Sequence, residues 1–231
     1  MAEDLDAFRR RTAFVWDSLP KEGGFATSPR LTEKVDPAGR LRPFDWDTVI
    51  FDLTEADKDW LTGIQRALYT ACGALLAEPL DPGSFHITLH DLHSGVDAEA
   101  VAAGMTRSRE GVRSLLAALP GDWAVSVRPT AVFSMVGISL VLGFEPVDEA
   151  SCGALMELYE AFEQVVPVGY PLTPHVTLAY YRPTVGDEDT LCLLRKALAD
   201  VQKSVICRTL TLSHPRYATF TDMNHYRMRD L

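Results

Sequence analysis

Phe85-His86-Ile87-Thr88-Leu89 recurs 89 positions later as Pro174-His175-Val176-Thr177-Leu178, and the reading of this repeat decides the fold. Side chains alternate between the two faces of an extended strand. His86 and Thr88 therefore share one face, while Phe85, Ile87 and Leu89 share the other. His175 and Thr177 stand opposite Val176 and Leu178 in the same way. Each copy is expected to be a strand with an apolar back for the core and a front carrying one imidazole and one hydroxyl. Two such fronts facing each other make a two-histidine site.

Working outward, Thr48 to Leu53 is β-rich, and Thr54 with Glu55 and Asp57 supplies a helix cap and an acidic first turn. Leu61, Ile64, Leu68, Cys72 and Leu75 then fall on one helical stripe, so a helix is expected to about Leu76. Asp91 to Gly95 reads as a loop, and residues 97–118 as a helix with Gly104 and Gly111 as candidate breaks. Two strands follow, Trp123 to Arg128 and Val136 to Phe144, separated by Pro129-Thr130; a helix over 148–165 leads to the second His strand. Behind that strand come a helix over 188–202, a strand over 204–212 and an extended piece near 217–221. The order repeats as a diverged duplication, in pattern rather than in letters. Ahead of it, residues 1–43 read as an extension: a helix over 5–19, then a Gly- and Pro-rich loop.

The chain has 231 residues, of which 47% are hydrophobic, enough for one bilobal domain with a sizeable core, and 1–231 is read as that single domain. A formal charge of −10 argues against binding a long nucleic-acid tract, which wants a basic stripe, and leaves room for a small anionic ligand in a local pocket. Arg9, Arg10 and Arg11 form one basic cluster, read as a solvated helix face. Cys72, Cys152, Cys192 and Cys207 lack C-x-x-C spacing and are expected to be reduced core thiols. The first residues are acidic where a signal peptide would be basic, and no apolar run approaches the roughly 20 residues of a membrane helix. A cytoplasmic protein without membrane contact is expected.

An imidazole titrates near pH 6.5, so a pair can hold one neutral base and one protonated acid near neutrality. That division suits displacement at phosphorus. One His takes a proton from the attacking oxygen, the other gives one to the leaving oxygen, and the threonine hydroxyls donate to the non-bridging oxygens. This scheme needs neither metal nor cofactor.

Paired His-aliphatic-Thr-Leu motifs at this separation resemble the 2H phosphoesterase superfamily, which includes the bacterial 2′-5′ RNA ligase-like proteins and the 2′,3′-cyclic nucleotide phosphodiesterases. The resemblance spans most of the chain, from about Thr48 to Thr221. It implies a bilobal α+β fold with two antiparallel sheets lining a central cleft, and metal-independent cleavage of a cyclic phosphodiester. Carried over by motif position, His86 and His175 are the acid-base pair, and Thr88 and Thr177 are phosphate ligands. For cyclic phosphate opening it implies that His175 activates water and His86 protonates the leaving oxygen. Lys34 to Arg40, followed by Phe44 and Thr48-Val49-Ile50, also resembles a less characterised branch of the superfamily. The implied partner is a small nucleotide or short RNA end with a 2′,3′-cyclic phosphate or 2′-5′ linkage. Reversible 2′-5′ RNA ligation and a non-catalytic phospho-ligand module stand as alternatives.

Strand phase extends the site. His90 continues the face of His86 and Thr88, and Tyr181 that of His175 and Thr177, with Tyr180 turned to the apolar back; both enter as substrate-binding candidates, with Arg182 as an anion anchor. Phe44 and Trp46, placed in a loop, and Phe220 are weaker stacking candidates. His86 and His90 are about 13 Å apart along a regular strand, too far to share one ion with His93, so no metal site is read there.

Overall fold

A computed structural model describes residues 3–16, 19–95, 97–229 and 231. The segment before the duplicated part carries α1 (Leu5–Trp16) and the two-residue strand β1 (Phe25–Ala26). The helix expected over 5–19 thus ends sooner, and residues 17 and 18 of that span lie outside the described residues. The first half follows as β2 (Asp45–Asp52), α2 (Glu55–Cys72), β3 (His86–Gly95), α3 (Ala98–Ala118) and β4 (Ala124–Met135). The second continues as β5 (Ser139–Pro146), α4 (Glu149–Val165), β6 (His175–Tyr180), β7 (Val185–Gly186), α5 (Glu188–Gln202), β8 (Leu210–Ser213), β9 (Arg216–Phe220) and β10 (Tyr226–Met228).

Two four-stranded antiparallel sheets result, ordered β10-β9-β2-β3 and β6-β5-β4-β8, and β1 pairs with β7 in a small ribbon. The His strands β3 and β6 are each the end strand of their sheet, and they lie beside one another. The architecture is α+β, with a cleft between the front faces of the two sheets. One continuous hydrophobic core runs behind both, from Phe51, Ile87 and Leu89 to Leu142, Val176 and Leu178. Among the described residues no helix is long and apolar enough to cross a membrane.

The helices start where polar side chains satisfy free backbone N–H groups. Thr54 caps α2, and Asp97, Asp148 and Asp187 cap α3, α4 and α5. Several sequence expectations are corrected here. Residues 91–95 continue β3 instead of forming a loop. Pro129-Thr130 lies inside β4, at an irregularity in its pairing with β5, and the chain reverses later, at Val136-Gly137. The strand expected from 204 begins only at Leu210. Gly104 does not break α3; a Cβ there would lie 2.3 Å from the His93 ring, so the glycine lets the helix close on β3. Trp46 belongs to β2 rather than to a loop. All four cysteines are free thiols, but only Cys72 and Cys152 are buried, while Cys192 and Cys207 are exposed. Arg9 and Arg11 are not a solvated face: Arg9 pairs with Glu145 and Arg11 with Glu3.

Candidate active site

The two motif strands share an irregularity that the alternation argument did not contain. In β3 the pairing with β2 passes from Ile50↔Thr88 to Val49↔His90, leaving Leu89 extra. In β6 the pairing with β5 passes from Val141↔Thr177 to Leu140↔Ala179, leaving Leu178 extra. Each motif leucine is thus a β-bulge, directly after the threonine. A bulge inserts one residue and exchanges the faces beyond it. His86, Thr88, His175 and Thr177 precede the bulges and keep their expected front positions, all four lining one cavity. Carbonyl groups freed at the bulges are bonded by side chains: Thr48 Oγ1 donates to the His90 carbonyl at 2.8 Å, and Gln65 Nε2 to that of Leu178 at 3.0 Å.

Beyond the bulges the phase shifts by one, and Tyr181 changes places with its neighbour while Asp91 joins His90 in the lining. Tyr181 is fully buried and packs against Phe25, ring centroids 4.9 Å apart, so it does not face the cleft. Tyr180 lines the cavity instead, its hydroxyl 2.9 Å from Met223 Sδ. His90 is 1% exposed, its ring tilted against those of Tyr159 and Phe162 of α4, with Nε2 3.0 Å from Glu163 Oε1. It lines the cavity as an almost fully buried ring, and among the described residues its Nδ1 has no hydrogen-bond partner. Asp91 takes the front position and accepts from the Tyr170 hydroxyl at 2.5 Å. Arg182 is exposed at the edge beside Gly39, and it is not among the residues lining the cavity. His93 is engaged by Asp47 through both its backbone N–H and its ring.

The imidazoles are held identically. His86 Nδ1 lies 2.7 Å from the Ser84 carbonyl and His175 Nδ1 2.7 Å from the Thr173 carbonyl, in each case two residues back along the chain. A carbonyl only accepts, so each Nδ1 carries the proton and donates it. Nε2 is then the nitrogen left for chemistry in both rings. Burial is the largest influence on both and lowers their pKa values; the two carbonyl bonds and the charge of Asp91 oppose it. His175 further lowers His86, and Lys34 further lowers His175. Among the described residues neither Thr88 nor Thr177 spends its hydroxyl on another protein group.

The cavity measures about 590 Å³. One wall is aromatic: Phe220 stacks on Trp46 at 4.7 Å and on Tyr226 at 5.2 Å, and its ring lies 5.3 Å from that of His86. Phe44 and Lys34 stand at its end, while Tyr170, Pro171 and Leu172 border the other side. Sequence reasoning missed Lys34, Asp91 and Tyr180 as cleft residues. The first comes from the segment read as an extension, and the others are displaced by bulges that no residue type announces. Among the described residues no group of three or more His, Cys, Asp or Glu side chains is arranged to hold a metal ion.

No family model matches the chain, and no curated protein matches its sequence. Solved structures do. A conserved protein of unknown function from Agrobacterium tumefaciens aligns with a TM-score of 0.66 at 15% identity, over 88% of this chain and 92% of that one. TT0787 of Thermus thermophilus aligns with a TM-score of 0.48 at 18% identity, over 80% and 95% of the two chains. LigT of Escherichia coli complexed with 3′-AMP gives 0.48 at 14% identity, over 82% and 97%. At such identities a likeness concerns the fold and not the reaction, and it is the first alignment that carries weight. Two antiparallel sheets presenting paired His-x-Thr strands to one cleft are the architecture that the sequence resemblance implied, and the chain shares its α+β fold with the first of these structures.

Proposed function

We propose that the protein is a phosphoesterase that opens a 2′,3′-cyclic phosphate, or a related 2′-5′ phosphodiester, of a small nucleotide or short RNA end by two-histidine acid-base catalysis. The observation that carries this reading is the matched pair of imidazoles, each with Nδ1 committed to a carbonyl two residues back and Nε2 left over, in one cavity with two uncommitted threonine hydroxyls. A structural histidine has no need of that symmetry.

In the cyclic phosphate reaction, neutral His175 accepts the proton of an attacking water at Nε2 as the oxygen bonds to phosphorus. Protonated His86 delivers its Nε2 proton to the departing ribose oxygen, whose bond to phosphorus breaks. The product is a phosphomonoester, and His175 then holds the proton that His86 has lost; exchange with solvent resets the pair. Thr88 and Thr177 donate to the non-bridging oxygens, where charge builds in the transition state. The aromatic wall of Trp46 and Phe220 presents a face on which a base can stack.

The direct test incubates the EDTA-treated protein with the common nucleoside 2′,3′-cyclic monophosphates and with 2′-5′ linked dinucleotides. Turnover of at least one is expected. Saturable binding with no turnover of any compound would sink the enzymatic reading and leave a phospho-ligand module.

A further inference from the structure

Lys34 reaches the cleft by a rigid route. It caps the C-terminal end of a short 3-10 helix (Pro29–Glu33), Leu31 of that helix and the following Val35 are fully buried, and its carbonyl accepts from the Arg42 N–H at 2.8 Å. The ammonium nitrogen then stands 5.0 Å from the Phe44 ring centre, 5.1 Å from that of Trp46 and 5.8 Å from that of Tyr180. These are cation-π distances, and the rings come from two parts of the chain, Phe44 and Trp46 around the start of β2 and Tyr180 at the end of β6. Among the described residues Nζ makes no hydrogen bond and no ion pair, so its three N–H donors have π faces beside them and no acceptor. The charges of Asp91 and Glu33 act on it from a distance and oppose the effect of burial, which is to lower its pKa. The other cation lining the cavity, Arg11, is already committed to Glu3 at 2.7 Å and to the Leu172 carbonyl at 2.8 Å.

The rings of Trp46 and Tyr180 around Lys34 belong to strand positions away from the two motif histidines. Trp46 is opposite Ser94, six residues of β2 away from Asp52, which is opposite His86. Tyr180 is at the far end of β6 from His175. The Trp46 ring beside the ammonium stacks on Phe220, whose ring in turn lies beside that of His86. The charge of Lys34 is felt at His175, in the same cavity.

We propose that Lys34 and its ring cage form a second anion subsite, which binds a negatively charged group of the substrate other than the phosphodiester that reacts. This rests on the function proposed above and narrows it: the preferred substrate is a cyclic phosphodiester with a further phosphate or carboxylate, joined through a part that lies along Trp46 and Phe220. Lys34 is then a specificity residue, and its role is read in a ratio between two substrates rather than in activity itself.

The test compares a nucleoside 2′,3′-cyclic phosphate with the same compound carrying an added 5′-phosphate, in wild-type protein, Lys34→Met and Lys34→Arg. Methionine keeps the apolar stem inside the cage, and arginine keeps the charge. Wild type is expected to prefer the 5′-phosphorylated compound about ten-fold or more in kcat/KM, the size of one charge-assisted hydrogen bond. Lys34→Met should bring that ratio close to one, and Lys34→Arg should retain most of it. A wild-type ratio near one, or a ratio that Lys34→Met leaves unchanged because both substrates fall together, overturns the subsite. Calorimetric binding of the nucleoside 3′-phosphate and 3′,5′-bisphosphate is read in parallel. If neither cyclic compound turns over, the function fails, and the same ratio in binding still decides for or against the subsite.

Discussion

At the scale of single residues the proposed reaction divides the cleft into groups that would move protons and groups that would set how readily they do so. His86 and His175 belong to the first kind. Each general acid or base contributes typically about 10²- to 10⁴-fold, so His86→Ala and His175→Ala are each expected to lower kcat/KM by at least the lower figure while leaving circular dichroism unchanged. Near wild-type turnover by either variant would refute the two-histidine mechanism. Asp91 belongs to the second kind. It is bonded to Tyr170 through Oδ2, among the described residues its Oδ1 has no partner, and its charge raises the pKa of both imidazoles against the effect of burial. Asp91→Asn keeps the shape and removes the charge, so both imidazole pKa values should fall. On the proposed mechanism the active form holds one proton between the two histidines. Its pH window must therefore move to lower pH, with activity at pH 7 reduced and activity on the acid side relatively spared. A kcat/KM profile measured from about pH 5 to 8 reads this directly, and an unmoved profile would mean that Asp91 serves only to hold Tyr170.

At the scale of elements, the difference between what the sequence shows and what it conceals is physical. Alternation is legible wherever a strand is regular, and so His86, Thr88, His175 and Thr177 could be placed from letters alone. A β-bulge has no residue signature when it falls on leucine, a residue equally at home in a regular strand. Leu89 and Leu178 therefore upset two sound phase arguments: Asp91 joins His90 in the cavity lining unannounced, and Tyr180 stands there in place of Tyr181. Lys34 was hidden for another reason: a contact between a loop and a cleft formed by distant strands leaves no period to detect. The β4-β5 turn was concealed by its own chemistry. Tight hairpins favour Asn-Gly, because both central residues need positive φ. Here Val136, at φ 45°, precedes Gly137, at φ 69°. A β-branched residue in that region is strained, and Val136 is also 65% exposed, so little packing offsets the cost. Val136→Asn is accordingly expected to stabilise the protein by about 1 kcal/mol, seen as a higher urea midpoint at unchanged slope. A lower midpoint would show that the valine side chain contributes more to the rim of the cleft than its backbone strain takes away.

At the scale of the whole molecule, the burial that creates the cleft also sets how the fold responds to acid. His86, His90 and His175 all have pKa values lowered from 6.5, with burial the leading cause in each case. In the unfolded chain they return to ordinary values near 6.5. Between the folded and unfolded values the unfolded chain binds more protons, so stability rises with pH through that window and is lost as pH falls below about 6.5. The overall charge acts in the opposite direction. At −10 near neutrality and with an isoelectric point near 5.0, acidification from pH 7.5 to 5.5 reduces net charge and with it self-repulsion. The carboxylates whose pKa values are lowered by local hydrogen bonds, such as Asp148 and Asp187, act below about pH 4 and stay out of this interval. A fall in the urea midpoint between pH 7.5 and 5.5 would therefore isolate the buried histidines, since the general electrostatic effect predicts a rise. The double variant His86→Asn, His175→Asn should flatten most of that fall, leaving the part due to His90. A nucleoside monophosphate bound in the cleft should flatten it too, because an anion beside the imidazoles favours their charged forms. A midpoint that holds steady or climbs on acidification would show that the imidazoles are well solvated, and the argument that their low pKa values follow from burial in the cleft would fail with it.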